Sequence, residues 1–329
     1  MSTSRRETTI ALFCAMGAML CFSSVPVFLR HLTGYLDSWT TNAVRYGTSA
    51  AFWLPFVIVL SRRQGRRGAP GAPAGPVRPR RSIWLAALIP FVPNVLGQIG
   101  WATAPYFLKA ATIGFGIRAT FVFTTLLGFA FIPAERPLAR SGWFYLGAAA
   151  SLGGVFLMFS HQLAASGPAD GSEAVGLVIL LATALGYSTY VVCVGRFLAD
   201  YPIRLAFGVV CLYTGVSLVV LMLLFGDWGR LAALGAREWA LLIVSGFVGI
   251  AFGHVMNYRA IHVIGPVITS GVTLAGPFST YVLAAAFLGE RLTGLQLLGG
   301  LIVVTGGFLL IRAKAGLAAK ILVVPPRPS

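Results

Sequence analysis

The sequence predicts an all-α membrane protein of ten transmembrane helices, built as two inverted five-helix repeats. Three observations lead there. Of 329 residues, 57% are hydrophobic and only 10% charged, whereas a water-soluble domain needs about a quarter of its residues charged to cover its surface. Apolar stretches long enough to cross a bilayer recur ten times. Motifs of the first half return, in order, in the second.

A helix crosses the hydrocarbon core with about 20 mostly apolar residues. Such stretches run over 10–29, 40–61, 83–103, 112–132, 142–160, 174–195, 205–226, 238–257, 267–288 and 295–312. Outside them remain a tail (1–9), a basic loop (62–82), a linker (161–173), a short amphipathic tail (313–329) and short loops between the other spans, 258–266 among them, too little for a soluble domain. The first stretch follows Arg5 and Arg6 as a signal peptide would. It is longer than a typical signal core and has no small-residue cleavage site, so it is expected to be retained.

The net charge is +16. With the N-terminus inside, eighteen of the 25 Lys and Arg fall in inside segments, five fall outside, and Arg45 and Arg118 lie within spans. Basic residues concentrate on the cytoplasmic side, so both termini are expected in the cytoplasm, the linker 161–173 outside, and the protein in the plasma (inner) membrane. The largest cluster, Arg62 to Arg81, is threaded through GAPGAPAGPVRPR. That composition suits a topology anchor touching anionic lipid rather than a nucleic-acid site.

Function classes narrow in the same way. Cys14, Cys21, Cys193 and Cys211 lie in apolar segments without a CxxC pair, and His31, His161, His254 and His262 are dispersed, so neither metal nor cofactor is expected. All nine acidic residues sit in tails, loops or span ends. No pair serves general acid–base catalysis, and no midplane carboxylate serves a proton or sodium relay. A membrane enzyme or a scaffold fits poorly; the expected partners are a small-molecule solute and membrane lipids, and nothing indicates an oligomer.

LCFSSVPVFLR (20–30) returns as LGYSTYVVCVGR (185–196), FLKAATIGFGI (107–117) as YRAIHVIGPVI (258–268), and FIPAERPL (131–138) as FLGERLT (287–293). Each copy ends in a helix with a glycine pair, Gly153–Gly154 and Gly306–Gly307. Five spans is an odd number, so the second copy, 174–312, enters the membrane from the side opposite to the first, 10–160. Two halves of opposite orientation are what alternating access requires.

These residues carry a family resemblance. The Glu135-Arg136 and Glu290-Arg291 segments ahead of Gly-rich final helices, Arg45 in NAVRYGTSAAFWLP, and the aromatic-Ser-Ser of the first span resemble the drug/metabolite transporter superfamily, in its EamA-like ten-helix branch, over residues 9–312. The resemblance implies a basket of two inverted five-helix repeats around a central cavity and the export or exchange of small metabolites, often amino acids or related compounds. Pro133 and Ala134 stand where the pattern has Leu-Gly.

Candidate site residues follow from polarity inside spans. A buried Arg costs about 2.5–3.5 kcal/mol on insertion scales. Arg45 lies shallow enough to snorkel or reach Asp37, or else faces the cavity. Arg118, without an acid in its span, suits a solute carboxylate or phosphate. Asn94, Gln98 and Trp101 share a helical face behind Pro90 and Pro93, with Tyr106 at its outer end; His254, Asn257 and Tyr258 share another behind Gly246, Gly249 and Gly253. Each stripe reads as a substrate wall or as interhelical glue. His254 is the one span histidine, a titrating group or a hydrogen-bonded structural one. Phe22 and Tyr187 could stack on a ligand from opposite halves, and Pro266 and Pro277 bracket a bending, gating element. The rival substrate class is a phosphorylated sugar or nucleotide, which would favour several cavity cations.

Overall fold

The computed structural model describes residues 5–66, 82–131, 133–165 and 172–323, and these contain helices and no strand. The basic stretch 67–81, part of the linker and the last residues lie outside that description. The first repeat holds α1 (Arg5–Leu32), α2 (Ser38–Arg66), α3 (Ile83–Thr103), α4 (Ala110–Gly116), α5 (Ala119–Phe131) and α6 (Gly142–Ala165). The second holds α7 (Ser172–Phe197), α8 (Ile203–Phe225), α9 (Ala236–Gly246), α10 (Gly253–Thr273), α11 (Gly276–Leu288) and α12 (Gly294–Val323). Among the described residues ten helical segments are long and apolar enough to cross a membrane; an even number of crossings puts the start of α1 and the end of α12 on one face.

The apolar exterior fits a lipid solvent. Phe287 is 75% exposed, and Phe13, Phe156, Val178 and Leu224 are likewise uncovered. Such a surface would aggregate in water.

Packing repeats with the opposite sense. α3 lies on α7 as α10 lies on α1; α5 meets α7 as α11 meets α1; α3 meets α8 as α9 meets α2. The remaining pairs, α2 with α8 and α6 with α12, cross the pseudo-twofold axis. Between α6 and α12 the backbones touch. A Cβ on Gly154 would lie 2.6 Å from the Gly299 carbonyl oxygen, and one on Gly306 would lie 2.7 Å from that of Gly147. Small residues let helices approach closely where the membrane offers no hydrophobic drive.

Three elements differ from the sequence reading. The fourth span is broken between α4 and α5, the segment 258–266 expected to be a loop is helical within α10, and the tail beyond 313 extends α12. The eighth span also contains a π-helical stretch, Phe247–Phe252, between α9 and α10, a wide turn that often marks functional positions.

Candidate functional site

Two crossings are interrupted at comparable positions. In the first repeat α4 ends and α5 begins around Ile117 and Arg118; in the second, α10 gives way to α11 around Leu274 and Ala275. The breaks face one another. A Cβ on Gly276 would stand 2.6 Å from Nη2 of Arg118 and 3.1 Å from Oγ of Ser23, while the ring of Phe115 meets that of Phe278 edge-on at 5.2 Å.

A serine holds each break to the opposite repeat. Ser23 Oγ lies 3.0 Å from the Gly276 carbonyl and 2.7 Å from the Met19 carbonyl, one turn back. Ser188 Oγ lies 3.1 Å from the Thr120 carbonyl and 2.7 Å from that of Ala184. Ser23 and Ser188 are the same member of the repeated aromatic-Ser-Ser/Thr motif, and both are buried. The pseudo-twofold is thus drawn in hydrogen bonds.

Arg118 sits at the first break. Its guanidinium carbon is 6.0 Å from the centre of the Phe121 ring, its Nε is buried without a hydrogen-bond partner, and no carboxylate among the described residues pairs with it. A charge held in this way is a ready receptor for an anion.

Arg45 resolves differently from the outward-snorkelling reading. It is 1% exposed, its Nε donates to Oγ of Ser245 at 2.9 Å, and its Nη1 has no partner. Glycines make room for it: a Cβ on Gly246 would lie 2.7 Å from the Arg45 carbonyl oxygen, and one on Gly249 would lie 3.4 Å from Nη2. Asp37 does not reach it. That carboxylate caps α2, accepting from the Thr40 N–H at 2.9 Å, the Thr40 hydroxyl at 2.6 Å and the Asp227 N–H at 2.9 Å. Partial burial pushes the Asp37 carboxyl up, but these hydrogen bonds outweigh it and hold the group below its ordinary value.

The structure does not join the two arginines. Arg118 lies by Ser23 and Arg45 by Val25, through Gly276 and Gly249 respectively.

Of the polar stripes, Asn94 is the member whose side chain bonds a neighbouring helix. Asn94 is 6% exposed and donates to Oγ1 of Thr214 on α8 at 2.9 Å. Gln98 offers its backbone carbonyl to Asn42 at 2.8 Å. Trp101 meets Tyr187 edge-on at 6.2 Å, and Tyr187 also covers Gly97. The Tyr106 hydroxyl donates to the Leu36 carbonyl at the outer end. His254 stacks on Phe207 at 4.8 Å and meets Phe22 at 5.1 Å, with Nδ1–H donated to the Ile250 carbonyl at 3.1 Å. Tyr258 closes on Phe207 at 5.7 Å, and Asn257 is half-buried. Phe22 and Tyr187 therefore pack on the partner repeat rather than on one another. Pro277 lies in the first turn of α11, just after the break; the side chain of Pro266 lies outside the described residues.

Trp101, Tyr187, His254, Asn257 and Tyr258 each keep part of their surface accessible, and two depressions are present elsewhere. A depression of about 420 Å³ is lined by Leu274, Phe278 and Phe308; another, about 490 Å³, separates α5 from α7 at the face bearing the chain ends.

At the opposite face the repeats are strapped together. Arg30 pairs with Glu290 at 3.6 Å and donates to the Pro105 carbonyl at 2.5 Å. The Glu290 carboxylate accepts the Ala110 and Ala111 N–H groups at 3.2 and 3.3 Å, and Lys109 reaches the Arg291 carbonyl at 3.3 Å. Sequence reading counted Arg30 among the outside charges and read Glu290 as part of the repeated Glu-Arg motif, without pairing the two.

Comparison with known proteins agrees with this architecture. The model of the EamA-like transporter family matches residues 9–160 and 174–312, one match for each repeat. A protein of known crystal structure superposes on 98% of this chain and 100% of its own, with a TM-score of 0.59 at 19% identity, a likeness of fold. No curated protein matches the chain.

Proposed function

This multi-pass membrane protein belongs to the EamA-like transporter family, and on that premise we propose that it carries a small organic solute bearing one carboxylate, such as an amino acid or a relative of one. The solute moves by alternating access between the inverted repeats, as an exporter or exchanger in the inner membrane with both termini in the cytoplasm. The observation that carries the reading is Arg118, a cation at a broken crossing with an unpartnered Nε and no carboxylate nearby. A carboxylate supplied by the solute would complete that guanidinium's hydrogen bonds. One such cation suits a monoanion better than a phosphate dianion, since Arg45 is engaged by Ser245. Pro277, beside the second break, supports a bend there.

Purified protein in liposomes tests this. Flux of amino or organic acids is expected, with Arg118→Ala lowering kcat/KM at least about a hundredfold, as loss of a charged hydrogen bond of roughly 3 kcal/mol would, and Arg118→Lys retaining part of it. Flux unchanged in Arg118→Ala would remove the anion site from the reading.

A further inference from the structure

A carboxylate of the second repeat caps a helix of the first, and that contact ties the face opposite the chain ends to Arg118. The first N–H groups of α4 need acceptors, and Lys109, in the cap position, supplies none from its side chain. Glu290 supplies them instead. One of its oxygens accepts from Ala110 at 3.2 Å and the other from Ala111 at 3.3 Å. α11 brings it there: the helix stops at Gly289, whose φ of 66° suits glycine, and the Glu290 N–H turns back to the Ala284 carbonyl at 3.2 Å. The Glu290 side chain is 9% exposed, with Arg30 beside it at 3.6 Å. It is a sheltered, charge-assisted cap more than a surface ion pair.

α4 and α11 run side by side in opposite directions and touch along their length. Inward from the cap, a Cβ on Gly114 would lie 2.9 Å from Cβ of Thr280, and the Phe115 ring meets that of Phe278. At the far end a Cβ on Gly276 would lie 2.6 Å from Nη2 of Arg118. All seven residues of α4 are buried. A close-packed interior transmits strain, so a short helix enclosed in this way moves as a unit. What shifts its capped end shifts the break that carries Arg118.

We propose that α4 and α11 form the gate of the solute path on the face opposite the chain ends, latched by Glu290, and that Glu290 is a positioning residue acting on Arg118 through α4. This rests on the carrier reading and adds to it a gate and the lever that works it.

Two introduced thiols read the two ends of the pair. Thr112→Cys lies on α4 and gives up no hydrogen bond, since Oγ1 of Thr112 has no partner. Ser23→Cys lies beside Gly276, next to Arg118. Each is placed in the full chain, in phosphatidylcholine vesicles, and treated with a membrane-impermeant maleimide from the face opposite the chain ends. Fragmentation mass spectrometry of the peptides separates these thiols from the native ones. Glu290→Gln keeps the shape and loses the charge, and it should raise both labelling rates roughly three- to tenfold as the latched population falls. Cys211, 1% exposed in a separate core cluster, should stay unlabelled and so report that the protein remains folded. Should Glu290→Gln misfold, the exchange Arg30→Glu with Glu290→Arg restores the ion pair but not the cap, because a guanidinium accepts no hydrogen bond. It should raise both rates as much.

A rise at Thr112→Cys alone makes Glu290 a local helix cap and overturns the proposal. Unchanged rates in Glu290→Gln overturn it as well, and wild-type rates in the exchange overturn it by making the ion pair the closure. The two readings fail separately. Solute flux with both thiols indifferent to Glu290 removes the gate and leaves the carrier, whereas both rates rising together without flux of any solute tried keeps the gate and removes the carrier.

Discussion

Alanine at Gly153 and alanine at Gly154 are expected to act in opposite directions, although the two glycines adjoin in one helix. In a helix interior Ala is more favourable than Gly by about 0.8–1.0 kcal/mol, so that gain applies to both. At position 153 a Cβ meets nothing within 4 Å, and the gain stands alone. At position 154 it would lie 2.6 Å from the Gly299 carbonyl oxygen and 2.7 Å from the Val303 amide nitrogen, both of them backbone that cannot rotate away. Restoring ordinary contact moves α12 by most of an ångström, and Gly147, Ser151, Gly299 and Gly306 lose their fit along the same seam. Overpacking of this kind costs about 1–3 kcal/mol, more than the propensity gain. The variants should differ by roughly 2 kcal/mol, with Gly153→Ala above wild type and Gly154→Ala below it. Reversible unfolding in mixed detergent micelles, followed by tryptophan fluorescence, measures the difference. Equal stabilities, or a reversed order, would refute the claim that backbone contact between α6 and α12 holds the axis.

Other perturbations follow from the same geometry. Ser23→Ala and Ser188→Ala should each cost about 0.6 kcal/mol, the usual worth of one interhelical hydrogen bond in a membrane, and should add in the double variant because the contacts are separate; unfolding of the four proteins shows it. Asn94→Leu should lower stability by up to about 1.7 kcal/mol yet leave KM unchanged, since Asn94 bonds Thr214; a raised KM would return it to the substrate wall. Asp37 is held below its ordinary value, so its contribution to stability is complete above about pH 4 and lost as the pH falls through the folded value. Acid titration of unfolding should lose that part of its slope in Asp37→Asn.

What the sequence disclosed was what depends on neighbours close in the chain. Spans follow from local hydropathy and lie within a few residues of their expected places. The inverted repeat follows from motifs that keep their order. Arg118 was legible because a charge in an apolar stretch needs a reason. What stayed hidden depends on partners far along the chain. Whether Arg45 turns outward or inward is decided by Ser245 and by the space over Gly246 and Gly249, some two hundred residues away. Asn94 became glue because Thr214 faces it. Arg30 was counted as an outside charge and Glu290 as part of a motif, and only the fold sets one against the other. The breaks at 117–118 and 274–275 share no residue type, so no sequence signal marks both.

That last difference bears on how the molecule works. An inverted pair of repeats gives two states built from the same contacts exchanged between faces, and therefore close in energy. The serine bonds obey that symmetry, Ser23 to Gly276 and Ser188 to Thr120. The charge does not: Arg118 occupies the first break, while Leu274 and Ala275 occupy the second. A carboxylate drawn to Arg118 would therefore stay with the first repeat in both states, while the rest of the solute met the walls of whichever half closed over it. On the proposed reading the scaffold supplies two nearly equal states and Arg118 the orientation, which puts the choice of solute on a few residues around Arg118 that the duplication left unmatched.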